Sequence, residues 1–500
     1  MKCGLLPSNK RVSFLGWNVL VLSILLLAAG TSQLYAANNN NNRNNNNNRS
    51  NNSNRNSNSN RSGNSGNYGN SGSGYGGDSY DLSARNFYGW GYRSAVGGFS
   101  IDAENAVRTA DAEEVASMAE RMRSLLADVP ADLDTPSSMR KISLRRLAAE
   151  LNSCQQNGRP IPDSLLFLGG LTRIDYIAAV PEEHDIYLAG PAEGWTVTDT
   201  GQIVGKESGK PILRLEDLLT VLRAWDTATP EVITCSIDPT QEGIAAVAAL
   251  GAEADDAERE SAMGLMDVTF GGIPADSRIA MVLAAADYRL KTLSLGYEEV
   301  PIKNFPSYFE MIKAGTNSSY GQRFWISPEY KKLSHGTDSL TWQLTETAIQ
   351  TLTEREHLSA DGNRKAVAKK DAQAQRWAAA MSKRFDEVAE VVPIFADAKN
   401  CMEIALAVAV IYSKQLPQKA GLSLDTLRND ALFPQNPLPV PAKVAGFSLS
   451  RTIGNRAKIT VTGGITINPW ETVQNGTSLD AELDTLTAKV SFGGDNWFAD

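Results

Sequence analysis

Few side chains in this sequence combine a reactive type with an unusual setting. Ala189-Gly190-Pro191-Ala192-Glu193-Gly194-Trp195 is the most distinctive segment. Two glycines and a proline make a rigid turn, and Glu193 and Trp195 would project from it. A carboxylate beside an aromatic platform is the arrangement of sugar-binding and glycosidase sites. A β-turn whose Trp packs on the body is the plainer reading. Asp238 ends the strand-like run Val232–Ile237, just before Pro239. Ligand sites gather where strands meet helices in α/β sheets, and an Asp capping the helix Pro239–Ala254 explains the same residue. Asp287 and Lys291 are spaced i,i+4 at the end of an alanine-rich helix. They form an ordinary ion pair there, or an acid–base pair if the helix end faces a cleft. The candidate catalytic carboxylates are therefore Glu193, Asp238 and Asp287, with Trp195 as the candidate ligand-stacking residue.

Other chemistries find little support. The three histidines, His184, His335 and His357, lie in separate segments. His184 is flanked by Glu182, Glu183 and Asp185, which reads as a charged turn. No His-Glu-x-x-His, paired Cys-x-x-Cys, Gly-x-Ser-x-Gly or phosphate-loop motif occurs. Gly72–Gly77 matches a dinucleotide fingerprint by letters alone, without a flanking strand and helix. No metal and no cofactor is expected.

The elements that must position these residues follow an N-terminal leader. Lys2, Lys10 and Arg11 precede the apolar run Val19–Ala29, and Leu34-Tyr35-Ala36 supplies a cleavage site. Residues 1–36 thus read as a secretory signal peptide, too short in apolar length for a span of about 20 residues. Once it is cleaved, no transmembrane span is expected. Residues 37–77 are low complexity: 16 of the 23 residues from 38 to 60 are Asn. Such a tail has almost no apolar surface to bury and is expected to be disordered. Arg43, Arg49, Arg55 and Arg61 recur every six residues, as a spacer or as a cationic brush for anionic envelope polymers.

The body is acidic. The chain carries a net charge of −9, yet its first 77 residues hold seven basic and no acidic side chains, leaving −16 for the rest. That charge disfavours sequence-specific nucleic-acid binding. Three cysteines follow the leader, Cys154, Cys235 and Cys401. At most one bridge can form, and Cys235 and Cys401 fall in core-like runs.

Hydrophobic periodicity predicts helices over 103–127, 137–152, 215–225, 239–254 and 277–290, with strands near 171–177, 185–188, 195–197, 231–237, 266–271 and 291–296. A meander is expected over 320–358. Two helices broken at Pro393 should fill 364–415, the second holding the mostly apolar run Met402–Tyr412. The basic stretch Met139–Arg146 is explained as well by a solvated helix face as by a binding site. The pairs Gly97-Gly98, Gly271-Gly272 and Gly463-Gly464 share a Gly-Gly-apolar pattern expected at strand-edge turns. The fold class is α+β, with mixed short-strand sheets and packed helices. The main α+β body spans 78–415, a Pro-rich extended linker 416–442 and a C-terminal β-rich segment 443–500.

Gly170–Tyr176, Asp185–Trp195, Cys235–Thr240 and Ala284–Lys291, with Arg323-Phe324-Trp325, resemble exported planctomycete proteins catalogued only as a domain of unknown function, family 1598. The resemblance implies a bacterial, exported protein and brings no activity, cofactor or site residue. The sequence thus points to a non-enzymatic envelope, surface or extracellular interaction protein. The alternative is a secreted hydrolase acting on polysaccharide or peptide through carboxylates near Glu193. Protein recovered from the producing cell should begin at Ala37 on N-terminal sequencing. Recovery with Met1–Ala36 intact would remove the cleavable-leader reading.

Overall fold

The strands sort into two large sheets, and long apolar helices are packed against them. The computed structural model describes residues 99–101, 106–109, 112–226, 230–250, 254–300, 302–312, 320–431, 442–445, 450–453, 457–487 and 496–500. The chain divides into two units, Met1–Tyr75 and Gly76–Asp500, and every described residue lies in the second. The leader, the Asn-rich tail and Gly97-Gly98 lie outside the described residues.

The first sheet has ten strands. Its path runs β1 (Phe99–Ile101), β2 (Ala106–Thr109), β15 (Lys443–Ala445), β9 (Leu265–Gly271), β8 (Ile233–Asp238), β17 (Ala457–Ile467), β10 (Tyr320–Glu329), β13 (Ala348–Leu358) and β14 (Arg364–Val367). β16 (Ser450–Ile453) pairs with the first half of β17. The second sheet runs β18 (Thr477–Leu479), β11 (Leu333–His335), β12 (Thr341–Gln343), β4 (Tyr176–Val180), β5 (Asp185–Ala192), β3 (Ser137–Ser143) and β19 (Phe498–Ala499). A separate hairpin joins β6 (Trp195–Val197) to β7 (Ile203–Gly205).

Nine helices of seven or more residues occur among the described residues: α1 (Ala112–Leu125), α2 (Leu144–Gln156), α3 (Leu215–Ala224), α4 (Gln241–Ala249), α5 (Asp256–Met263), α6 (Arg278–Leu295), α7 (Ala372–Lys383), α8 (Phe385–Val391) and α9 (Ile394–Ser413). α6 packs on β8, β17 and β10, and α9 packs on α6 and α3. Strand alternation explains the first contact: Ile233, Cys235 and Ile237 are buried while Thr234, Ser236 and Asp238 are half-buried. Phe324 of β10 likewise meets the Trp377 ring of α7 at 4.7 Å. Cys154, Cys235 and Cys401 are all free and buried.

The α+β reading holds, with local corrections. The helix expected over 137–152 is a strand to Ser143 and then α2, whose first turn Ser143 caps by accepting from the Arg146 amide. Arg140 explains the strand. Its guanidinium is fully buried and donates to the carbonyls of Leu133, Thr135 and Gly169, so the stretch is not a solvated face at Arg140, although Arg145 is exposed. α1 begins at Ala112, after β2, rather than at 103. The strand expected at 291–296 is the last turn of α6, closed by Gly296 at φ +69°. That helix is buried nearly all round, and such burial erases the 3.6-residue pattern. Thr240, not Asp238, caps α4. The run after 415 is not extended throughout, because Leu416–Ala420 and Asp425–Arg428 are short helices that bury Leu416 and Leu427. The pair Gly463-Gly464 lies inside β17, in mid-sheet, and not at an edge turn. Gly463 has φ +142°, and a Cβ there would fall 1.5 Å from the Phe324 carbonyl oxygen. Gly272, at φ +75° after β9, does fit a turn.

Three helix N-termini converge inside this core. Asp217 lies in the first turn of α3, Arg278 opens α6, and Asp397 lies in the first turn of α9. Arg278 Nη1 donates to Asp217 Oδ2 at 2.5 Å and Nη2 to Asp397 Oδ1 at 2.8 Å. All three are buried. Carboxylates at helix N-termini are favoured by the helix dipole, and the cation between them makes their burial tolerable. Removing Arg278 alone leaves two buried acids without their ion-pair partner, with the Gln202 amide on Asp397 and the nearby Arg214 guanidinium as partial offsets. Arg278→Met should therefore cost about 3–5 kcal/mol in chemical denaturation. A loss under about 1 kcal/mol would show that solvent already reaches these groups.

Candidate functional site

The cleft that emerges is not the one the sequence singled out. It is about 430 Å³ in volume, between the β6–β7 hairpin with its following loop and the first turns of α9. Cavities of this size hold small-molecule ligands. Helical spacing decides what α9 contributes. Ala396, Lys399, Asn400 and Glu403 lie at i, i+3, i+4 and i+7 and line the cleft. Asp397 and Cys401 turn instead toward Arg278 and Asp217.

Most of the charge in the cleft is already paired. Lys399 Nζ bridges Glu346 and Asp386, at 3.0 Å to each. Arg173 grips Asp175 through two bonds of 2.5 and 3.0 Å and approaches Glu346 at 3.7 Å. The hydrogen bond from Lys399 holds the Glu346 carboxyl below its usual range. Asn400 Nδ2 donates to the Pro211 carbonyl at 2.8 Å, fixing that wall.

Two buried groups are left over. Glu403 is 5% exposed, and its Oε2 has no hydrogen-bond partner among the described residues. Burial pushes its carboxyl up to about 8, against the pull of Lys399 and Arg173. At neutral pH it is largely a carboxylic acid, and so a hydrogen-bond donor. Gln202 is 4% exposed, and its Nε2 donates to Asp397 Oδ2 at 3.1 Å. An amide whose nitrogen faces a carboxylate must turn its oxygen away. Gln202 Oε1 is accordingly an acceptor without a partner among the described residues. The Arg278 network thus orients one of the two groups offered to the cleft.

The residues expected from the sequence lie elsewhere. Glu193 is buried, and its carboxylate accepts from the Glu207 and Ser208 amides and from the Ser208 hydroxyl. It holds the loop after β7. Trp195 is 2% exposed, with its ring edge-on to Phe167 at 5.3 Å. It has no open face, which corrects the stacking assignment. Phe167 in turn carries the Arg214 guanidinium at 4.8 Å. Asp238 pairs with Arg364 at 2.7 Å and accepts from Ser236. Burial raises its carboxyl, but Arg364 and Lys291 outweigh burial and hold it below the usual range. Asp287 is fully buried, pairs with Lys291 and accepts from the Ile237 amide at 3.0 Å. Burial pushes its carboxyl up, with Lys291 opposing.

Asp238 and Asp287 are close enough for each to act on the same lysine. The partners of Glu193 belong to a different loop. His184 is an exposed turn residue at φ +50°. Among the described residues no group of three or more His, Cys, Asp or Glu is arranged to hold a metal ion, and no helix is long and apolar enough to cross a membrane.

Sequence reasoning missed Glu403 and Gln202. The available signal was an acid one residue into the apolar run Met402–Tyr412, where a core helix has no use for a charge. Glu403 makes a signed prediction. Its folded value lies above the ordinary 4.3 of a free Glu, so between about pH 4 and 8 the folded state holds a proton that the unfolded state has lost. Wild-type stability should fall through that window relative to Glu403→Gln and level off above it. Denaturation midpoints of the two proteins at pH 5 and pH 8.5 measure the difference. A constant gap would mean that Glu403 is already ionised at pH 5.

No curated protein and no solved structure matches the chain significantly. Residues 235–308 match the family model described as a protein of unknown function, DUF1598. The match covers β8 to α6 and includes Asp238, Arg278, Asp287 and Lys291, whereas the cleft residues Gln202 and Glu403 lie outside it. It bears out the family resemblance for Cys235–Thr240 and Ala284–Lys291, and the stretch 235–308 is thereby similar to DUF1598, a family of unknown function.

Proposed function

We propose that this is an exported, non-enzymatic protein of the bacterial envelope or surface that captures a small polar ligand in the cleft beside α9. One observation carries the reading: Glu403 and Gln202 both line one cavity, and each keeps a buried polar atom without a partner among the described residues. A buried group left unpaired costs about 1–3 kcal/mol, and a ligand supplying both partners would recover that cost. Export rests on the basic, apolar and small-residue order of residues 1–36. The Arg-bearing tail would then tether the body to anionic polymers outside the membrane.

Binding is favoured over turnover because the three carboxylates with the most suggestive sequence settings hold backbone amides or pair with cations. A secreted hydrolase is the second reading, and one observation favours it. Glu403 keeps its proton beside an ionised Glu346, the split of acidities that acid–base catalysis on polysaccharide or peptide needs.

Native mass spectrometry separates these readings. Protein taken undenatured from its producing cell should carry a ligand mass, and Ala396→Trp, which fills the cleft wall, should not. Bare mass in both proteins would sink the capture reading. Release of product from an envelope polysaccharide or peptide, lost in Glu403→Gln, would establish the hydrolase instead.

A further inference from the structure

The cleft also carries information about the chemistry of its occupant. The charged and titratable groups around Glu403 come from every wall. Lys399 stands one turn earlier on α9, Arg173 and Asp175 precede β4, and Glu346 precedes β13. Tyr330 follows β10, and its hydroxyl donates to the Met402 carbonyl at 2.9 Å. Asp386 lies on α8, and Asp397 lies behind Gln202. Arg173 and Lys399 are already paired with Asp175, Glu346 and Asp386. Lys210 and Glu390 also line the cleft and are exposed.

A charged ligand would have to break one of these pairs, or settle on the exposed Lys210 or Glu390 and leave the buried Glu403 and Gln202 unserved, and it would bear its own desolvation in either case. An uncharged ligand meets no such cost. Among the buried groups that line the cleft, the two without partners in the described residues are Glu403, a donor while it keeps its proton, and the acceptor Gln202 Oε1. A single hydroxyl would satisfy them only by reaching both. A trans secondary amide points its carbonyl oxygen and its N–H in opposite directions within one plane and so suits two walls at once.

We propose that the cleft recognises an uncharged secondary amide, with the Glu403 carboxylic acid donating to its carbonyl oxygen and Gln202 Oε1 accepting from its N–H. This rests on the capture reading and narrows it to one ligand chemistry. Two sources present that group outside a bacterial membrane, an acetamido sugar and a peptide bond. Ionised Glu403 cannot donate, so affinity must fall as the acid loses its proton. The burial that raises this carboxyl to about 8 puts the loss at mildly alkaline pH. Glutamine at 403 keeps an N–H donor at every pH.

The test is titration calorimetry on the full chain with three probes: N-acetylglucosamine, N-acetylalanine methylamide, and glucose as the hydroxyl-only control. One amide probe should bind at pH 6 and bind at least tenfold more weakly at pH 9.5. The probe that binds identifies the source. Glu403→Gln should bind that probe equally at both pH values, and Gln202→Leu should weaken it about tenfold at pH 6. Glucose binding as tightly as the amides would overturn the proposal, and so would a wild-type affinity flat from pH 6 to 9.5. Failure of both amides at millimolar concentration would overturn it too. A ligand mass in native spectra together with that failure would leave the capture reading standing and remove only the amide.

Discussion

The buried guanidinium of Arg278 fixes how the three central helices meet. Three positive helix ends crowd one region of the core, which would repel one another in a low-dielectric interior. Asp217 and Asp397 reverse the sign at two of those ends, and Arg278 then joins the two acids. The arrangement is strongly angular: one planar fork must reach two carboxylates on two different helices. It therefore sets the rotation of α9 about its own axis. With that rotation fixed, helical spacing alone carries Lys399, Asn400 and Glu403 to the cleft. Gln202 reads the same network from outside, through its bond to Asp397.

A second constraint lies in the ten-stranded sheet. β17 runs between β8 and β10, antiparallel to one and parallel to the other. At Gly463 the backbone comes so close to Phe324 that no side chain fits. Beside that point the Ile237 amide donates to Asp287, and the Ser236 hydroxyl donates to the Gly463 carbonyl at 2.6 Å. Asp287 is buried there because it satisfies a backbone donor within a sheet, and Lys291 neutralises the charge it brings. Glu193 does the same for a loop. These acids look catalytic in the sequence for the reason that makes them structural: a carboxylate accepts several amide bonds at once, so an irregular backbone recruits it.

The energetic contrast between the two sets of acids separates architecture from function. Glu193 and Asp238 have their demands met inside the fold, and Asp287 meets most of its own through Oδ2, which takes Lys291 and the Ile237 amide while Oδ1 has no partner among the described residues. Glu403 is buried like Glu193 and Asp287, yet among the described residues its Oε2 has no partner and no cation stands within ion-pair distance of it, as Lys291 does for Asp287. Folding tolerates such a group where another role requires it. The matched stretch 235–308 holds the Arg278 end of the helix junction and the Asp287 sheet contact. The cleft lies in residues beyond that stretch.

Sequence alone determined the elements whose signals are local. Strand alternation at Ile233–Asp238, the helix at Leu215–Ala224 and the break at Pro393 are each legible within a window of a dozen residues. So is the α+β class, and so is the acidic character of the body. The strands of 320–358 are legible too, but they are not the expected meander: β10 pairs directly with β13, and β11 and β12 between them join the second sheet. Tertiary structure decided whatever depends on a partner far along the chain. Arg140 sits on a strand because three carbonyls from two other segments, Leu133 and Thr135 in one and Gly169 in the other, take its guanidinium. Leu290–Leu295 continues a helix because burial on all sides removes the pattern that would announce it. Glu403 and Gln202, 201 residues apart, meet at one cleft only once Arg278 has set α9 against α3. Periodicity reports which face of an element is buried. It carries nothing about which distant residue will face it, and both the acidity and the partner of a buried carboxyl depend on that.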